Sequence, residues 1–246
     1  MNVVLSVESY KGVDGSSLSS TRCSQVVQVY EMLEEMGTKL TSYVEIQEEA
    51  ARRNLFGKTQ AKNAIRTFFP LLKKLDFVEY DGSFAANLCF TDLGTKFALA
   101  CRALGNVSDD TPHKDEIIMR LESIKRNAQK EGLINMYKDP EWKSHNMWIA
   151  LRLLKEFRIL HWNEFLYTLH YLEIGKTIEE AIARIKEDKK MIDSIVFLNE
   201  EGEILPNTCF SYLRSFLEEA GLISKVSSLE SKLLDDADLF YSQIGM

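Results

Sequence analysis

The sequence predicts a mainly α-helical protein with small β-hairpins, organised in two lobes. Three observations lead to this prediction. Apolar residues recur at three- and four-residue spacing through much of the chain, as they do on one face of an α-helix. Two short apolar runs surround the turn signal Asp81-Gly82, which is typical of a hairpin. The polar stretch "GNVSDDTPHKD" separates two helical regions near residue 108.

The first lobe contains a predicted series of three helices, a hairpin and a fourth helix. The first helix, "CSQVVQVYEMLEEM", ends before Gly37, which cannot extend it favourably. Ser42 followed by Glu45 is a capping-box signal and predicts the start of the second helix. Thr59 is the expected cap of the third helix, "KTQAKNAIRTFFPLLKKL", and Thr91 that of the fourth.

Pro70 lies inside the predicted third helix. Because proline removes a donor and clashes with the carbonyl four residues earlier, at Arg66, we expect either a kink or two helices meeting there. The following runs "FVEY" and "NLCF", on either side of "DGS", are the predicted hairpin strands. Helix, helix, helix, hairpin, helix is the winged-helix order, so residues 1–108 are predicted to form an N-terminal winged-helix DNA-binding domain.

The second lobe, residues 109–246, is predicted to be a helical domain with a winged-helix-like element. Its stretch "FSYLRSFLEEAGLISKV" follows the same pattern as the third helix and first strand of the first lobe. This similarity predicts a second helix-turn-helix with a weak or missing wing. The complete fold class is therefore mainly α with small β-hairpin wings, in two winged-helix-like lobes.

The formal net charge of −7 is unevenly distributed along the chain. From Ala50 to Lys74 there are seven basic residues and no acidic residue, whereas after Asn199 there are nine acidic and three basic residues. A DNA-binding surface needs a local positive field and not a positive total. The acid-free stretch favours DNA contact over an ordinary solvated helix face, because such a face usually mixes both signs.

Candidate DNA contacts follow from this stretch. Lys62, Asn63 and Arg66 lie about one helical turn apart, where a helix in the major groove presents side chains to base edges and phosphates. The predicted DNA-binding residues of the first lobe are Arg52, Arg53, Lys58, Thr59, Lys62, Asn63, Arg66, Lys73 and Lys74. A weaker set in the second lobe, for which ordinary surface is the better interpretation, is Asn207, Ser211 and Arg214.

No catalytic or metal-binding residues are predicted. The four cysteines form no CxxC pair and are interpreted as buried free thiols. The tripeptides "EWK", "EDK" and "ESK" match the end of the PD-(D/E)xK nuclease motif, but they fall in stretches predicted to be helical or irregular and without an upstream aspartate on a strand. We expect no cofactor in this chain, no membrane segment and a cytoplasmic location.

The stretch "IRTFFPLLKKLDFVEYDGSFAANLCFTDLGTKFAL" resembles the first winged helix of type IIS restriction endonucleases of the FokI type and their nicking relatives. "MWIALRLLKEFRILHWNEFLYTLHYLEIGKTIEEAIARI" and "FSYLRSFLEEAGLISKV" resemble elements of the second half of their recognition region. The resemblance implies sequence-specific binding of double-stranded DNA, with the nuclease, and the Mg²⁺ it needs, on a separate domain or subunit. It implies contacts from Lys62, Asn63 and Arg66, and less firmly from Ser211 and Arg214.

Two alternatives remain open from the sequence. One is a transcription or plasmid-maintenance regulator on the same scaffold, which would be a dimer on palindromic sites. The other is a protein-interaction module whose winged helices bind no DNA and whose acidic C-terminal segment and aromatic helices form the contact surfaces.

Overall fold

In a computed structural model the fold is mainly helical with a few short strands. The structure describes residues 4–7, 18–57, 61–199, 201–205 and 208–246. The helices in these ranges are α1 (Ser20–Met36), α2 (Tyr43–Arg52), α3 (Ala61–Lys74), α4 (Asp92–Gly105), α5 (Lys114–Met136), α6 (Asn146–Phe157), α7 (Trp162–Glu173), α8 (Ile178–Glu187), α9 (Lys189–Asp193), α10 (Thr208–Glu219) and α11 (Asp238–Gln243). The strands are β1 (Val4–Ser6), β2 (Leu40–Thr41), β3 (Phe84–Ala85), β4 (Ile159–His161), β5 (Val196–Leu198), β6 (Ile223–Lys225) and β7 (Glu230–Leu233).

The chain divides into two compact units. The N-terminal unit is Gly15–Asp139, and the C-terminal unit is Pro140–Met246 together with Met1–Asp14. The sequence had placed the boundary between residues 108 and 109, but α5 packs on the N-terminal unit. Its Gly132 is so close to Leu75 that an added Cβ would lie 2.8 Å from the Leu75 carbonyl oxygen. The polar segment before α5 is therefore a loop within the first unit.

Helices α2 and α4 of the N-terminal unit begin at the capping residues that the sequence predicted, whereas α1 begins at Ser20, three residues before the predicted start. The Ser42 hydroxyl accepts from the Glu45 amide at 3.4 Å, and the Thr91 hydroxyl accepts from the Gly94 amide at 3.0 Å. The start of α3 was predicted at Thr59, which lies outside the described residues. The core is built from the apolar faces of these helices and includes Val26, Leu33, Ile46, Ile65, Phe68, Leu72, Phe77 and Phe97, each at most 1% exposed.

Helix α3 is continuous through Pro70, so of the two expected alternatives, a kink or two helices meeting, the second is wrong. The proline ring lies on the exposed side of the helix. The helix retains its packing because Phe68, Phe69, Leu71 and Leu72, which flank the proline, are all buried.

The small sheet of the N-terminal unit differs from the predicted tight hairpin. Residues 77–79 run antiparallel to residues 89–91, with the Glu79 amide donating to the Cys89 carbonyl at 2.8 Å and a bridge between Val78 and Phe90. Between them, β3 leaves this pair and joins β2 antiparallel, Leu40 opposite Ala85. The wing loop, defined as residues 80–88, therefore extends well beyond the predicted Asp81-Gly82 turn.

The C-terminal unit contains two small sheets. Strands β1 and β5 are parallel, and β4, β7 and β6 form an antiparallel sheet in that order. Helix α10 leads directly into the antiparallel β6–β7 hairpin. Trp162, Phe165 and Phe210 form an aromatic cluster in the core of this unit, with ring centroids 4.9 to 6.1 Å apart.

Candidate nucleic-acid interface

The exposed side of α3 is the best-defined candidate surface. We define the α3 face as the exposed residues Lys62, Asn63, Arg66, Thr67 and Pro70. The opposite side of the helix is anchored in the core through Ile65, Phe68 and Leu72. The helix contains no acidic residue, and its amphipathic pattern fixes which side chains reach solvent. The structure thus brings Lys62, Asn63 and Arg66 together on one face, as predicted.

Arg66 lies in the middle of the α3 face. Within the described part of the chain no carboxylate lies within ion-pair distance of it. Its positive charge acts on Tyr43 at the start of α2: burial raises the pKa of the Tyr43 hydroxyl, and a hydrogen bond with Gln47 and the charge of Arg66 partly offset that rise. The Arg66 guanidinium is therefore left with donors for an external acceptor.

Pro70 removes one hydrogen-bond donor from the backbone of α3. Because proline has no N–H, the carbonyl of Arg66 receives no helical hydrogen bond from residue 70. One turn earlier, the Thr67 hydroxyl donates to the Asn63 carbonyl at 2.8 Å. The α3 face consequently combines cationic donors with one side-chain amide.

Arg52 and Arg53 belong to a different environment from the one predicted. Both side chains bind Glu49 on α2, with Nε–Oε distances of 2.7 Å, and Arg53 also pairs with Glu35 of α1. Hydrogen bonds from Arg52 and Arg53 lower the pKa of Glu49 to about 2. Arg52 and Arg53 lie at the C-terminal end of α2, where the carboxylates of Glu49 and Glu35 largely neutralise their charge.

Lys62 and Lys73 also have carboxylate partners. Lys62 Nζ lies 3.7 Å from Glu48 Oε1 on α2, and Lys73 pairs with Asp81 in the wing loop. The Lys73 ammonium additionally lies over the Tyr80 ring, 4.9 Å from its centroid. Lys74, at the end of α3, is half-buried. The acid-free stretch of sequence is therefore not an acid-free surface, because neighbouring elements supply carboxylates.

An aromatic cluster fixes the wing loop beside α3. The rings of Tyr43 and Tyr80 stack with centroids 4.6 Å apart, and Phe69 of α3 lies 5.7 Å from Tyr80. Sequence patterns gave no indication that Tyr43, Tyr80, Glu48 and Asp81 lie beside the basic residues of α3. Their positions depend on tertiary contacts, and the only local signal was the turn at Asp81.

In the C-terminal unit the structure corrects the predicted role of Arg214. Its side chain is buried, 3% exposed, and its guanidinium donates to Ser231 and to the carbonyls of Ser227, Ser228 and Glu230. A group with these four acceptors inside the fold does not present itself to DNA. Burial also lowers the pKa of this guanidinium.

The remaining predicted contacts are divided between exposed and undescribed positions. Ser211 lies on the exposed side of α10 beside Tyr212. The same side continues to Glu218, which pairs with Lys225 at 2.6 Å, so it carries little net positive charge. Lys58, Thr59 and Asn207 lie outside the described residues.

The nuclease-like tripeptides do not assemble into a site. Glu230–Lys232 lies on strand β7, and not in the helical or irregular segment that the sequence predicted. The residues opposite it on β4 run from Ile159 to His161 and include no acidic side chain. Among the described residues, no group of three or more His, Cys, Asp or Glu side chains could hold a metal ion.

Cys23, Cys89 and Cys101 are buried and outside any disulfide, as predicted, and the side chain of Cys209 is outside the described part. Burial raises the pKa of the Cys89 thiol to about 12, which keeps it protonated and unreactive.

None of the helices in the described ranges combines the length and apolar character needed to cross a bilayer. A scan against protein-family models found no match to the chain, and searches of curated proteins and of solved structures found none either.

Proposed function

We propose that this chain binds double-stranded DNA in a sequence-specific manner, with α3 as the recognition helix of the N-terminal unit. The single observation that carries this proposal is the α3 face, where Lys62, Asn63 and Arg66 lie together on a rigid helix without an acidic residue in it. An α-helix fits the major groove and reaches base edges from such a face.

The order of elements supports a winged-helix assignment for both units. In the N-terminal unit the order is α1, β2, α2, α3 and then the pairing of residues 77–79 with 89–91. In the C-terminal unit it is α6, β4, α7, α10, β6 and β7, with α8, α9 and β5 inserted and with strand order β4-β7-β6. Helix α10 is the corresponding recognition helix, but its face lacks exposed cations.

The basic and amide side chains of α3 have distinct roles in this proposal. Arg66 donates to a base edge, for which the N7 and O6 acceptors of guanine are the best match, and Asn63 suits adenine. Lys62 and Lys73 contact phosphates and supply affinity that depends on salt. In this proposal the chain is the recognition part or subunit of a cytoplasmic type IIS restriction enzyme. Mg²⁺ is required only by a separate nuclease domain.

A second candidate function, protein binding, is favoured by one observation in the C-terminal unit. The exposed side of α10 presents Ser211, Tyr212 and Glu218, while Arg214, the one basic residue in this helix, is buried. Such a surface suits a polar protein partner, for example the nuclease subunit, better than a phosphate backbone. The two functions are compatible when they belong to different units.

The proposal is tested by fluorescence anisotropy with labelled duplexes. The purified chain is titrated into a random-sequence duplex of about 20 base pairs at low salt, and bound sequences are then selected from a random pool. We expect sequence-independent binding at about 50 mM salt that weakens steeply at 200 mM, and recovery of one common site. Absence of binding at low salt would overturn the assignment and leave protein binding as the function to pursue.

A further inference from the structure

Two lysines that flank Arg66 along α3 are each held by a carboxylate from another element. Lys62 lies one turn before Arg66 and pairs with Glu48 of α2, and Lys73 lies two turns after it and pairs with Asp81 of the wing loop. The carboxylates are 61% and 74% exposed, respectively. Ion pairs in such contact with water are weak, and an incoming anion can replace one partner.

The position of Lys73 does not depend on Asp81 alone. The Tyr80 ring lies under its ammonium, and Tyr80 is itself stacked on Tyr43 at 4.6 Å. A cation over an aromatic face is held there by the ring quadrupole. When the carboxylate of Asp81 is displaced, Lys73 therefore stays directed along the exposed side of α3.

We propose that Glu48 and Asp81 restrain sequence-independent DNA binding by competing with phosphates for Lys62 and Lys73. This inference rests on the proposed function of the α3 face. A duplex that docks on this face must break both intramolecular pairs, and each displaced carboxylate remains close to the phosphate and repels it. This competition weakens the phosphate contacts of Lys62 and Lys73. Arg66 has no carboxylate partner in the described part of the chain, so its donors remain available for a base.

The test removes each carboxylate charge without changing side-chain size, in Glu48→Gln, Asp81→Asn and the double variant. We expect each single variant to bind a random duplex at least about threefold more tightly, and the double variant about tenfold. We also expect the slope of log affinity against log salt to become steeper by about one for each lysine released. Thermal unfolding should be unchanged, because these pairs are exposed to water.

Asp109→Asn is the matched control. The Asp109 carboxylate pairs with Lys114 at 2.6 Å in the same unit, and its side chain is also exposed. This variant makes the same change in net charge away from α3, so it measures the general electrostatic effect alone. We expect it to alter affinity less than twofold.

The outcomes separate the inference from the proposed function. If the wild-type chain and every variant fail to bind duplex DNA, the proposed function is wrong and the restraint by Glu48 and Asp81 is wrong with it. If the wild-type chain binds DNA but Glu48→Gln and Asp81→Asn bind no more tightly than Asp109→Asn, DNA binding stands and the competition is overturned.

Discussion

Arg214 on α10 and Ser231 on β7 are joined by a 2.7 Å hydrogen bond from Nε to Oγ in the interior of the C-terminal unit. The rest of the guanidinium donates to the carbonyls of Ser227 and Ser228, in the turn of the β6–β7 hairpin, and of Glu230, the first residue of β7. One side chain therefore holds the hairpin against the helix that precedes it. The positive charge of Arg214 on α10 therefore has a structural role, and its guanidinium is not placed to contact DNA.

We predict that Arg214→Ala destabilises the C-terminal unit by about 2 kcal/mol or more, because it removes the donor to the buried Ser231 hydroxyl and to three part-buried carbonyls. Arg214→Lys should fall between the wild type and the alanine variant, since an ammonium cannot reproduce the guanidinium fork. Urea unfolding followed by circular dichroism measures the loss. Tyr212→Ala, at a half-exposed position on the same helix, is the control and should change stability by less than about 1 kcal/mol. Equal losses in the two variants would contradict a structural role for Arg214.

A second prediction concerns Gly94 in the first turn of α4. A Cβ added at this position would lie 1.8 Å from the carbonyl oxygen of Phe77, which is backbone and cannot move aside easily. Gly94→Ala should therefore destabilise the N-terminal unit by more than about 2 kcal/mol. This close approach explains why the T-x-x-G sequence of Thr91 to Gly94 ends in glycine.

Gly105→Ala is the control for Gly94→Ala, because Gly105 is at the end of the same helix and nothing lies within 4 Å of an added Cβ. It should be neutral or stabilising by about 0.5 kcal/mol, since alanine favours the helix over glycine. Thermal unfolding of both variants makes the comparison. A Gly94→Ala variant as stable as Gly105→Ala would show that the Phe77 backbone tolerates the methyl group.

The third prediction is a pH dependence that arises from Glu49. Because hydrogen bonds from Arg52 and Arg53 lower its pKa from 4.5 to about 2, the folded state favours the ionised carboxylate. Its contribution to stability is fully present above pH 4.5 and is lost as the pH falls towards 2. Glu49→Gln should therefore lose less stability than the wild type between pH 5 and pH 3, as measured by urea unfolding. A titration midpoint of the Glu49 carboxyl near 4.5, observed by NMR, would rule out this contribution.

Helix positions were predictable from sequence to a greater extent than charge pairing. Periodicity and capping residues such as Ser42 and Thr91 are local signals, and α2 and α4 begin where they indicate. The partners of Lys62 and Lys73 come from α2 and the wing loop, so they emerge only when the chain is folded. The β6–β7 turn, Val226 to Leu229, was likewise not predictable from local sequence, because it contains no glycine, asparagine or aspartate. Its geometry is maintained by Arg214, a residue more than ten positions away, and not by turn-forming residues.

The sharpest test of the α3 face is Arg66. This exposed arginine has no carboxylate partner in the described part of the chain, so the donors it offers to DNA are not compensated by an internal pair. We predict that Arg66→Ala weakens duplex binding at least tenfold, and that Arg66→Lys recovers only part of the loss, because lysine keeps the charge but not the bidentate geometry that guanine requires. Fluorescence anisotropy at a fixed salt concentration measures both.

Arg120→Ala separates a local contact from a change in total charge. Arg120 is on α5, and its side chain is 73% exposed and paired with Glu116 at 2.5 Å, so its removal alters the net charge as Arg66→Ala does. We expect less than a threefold change in affinity for this variant. Equal weakening by Arg66→Ala and Arg120→Ala would mean that DNA is attracted by overall charge and that α3 is not a recognition helix. A large effect confined to Arg66, with greater loss on the selected site than on random duplex, would mean that this side chain reads a base.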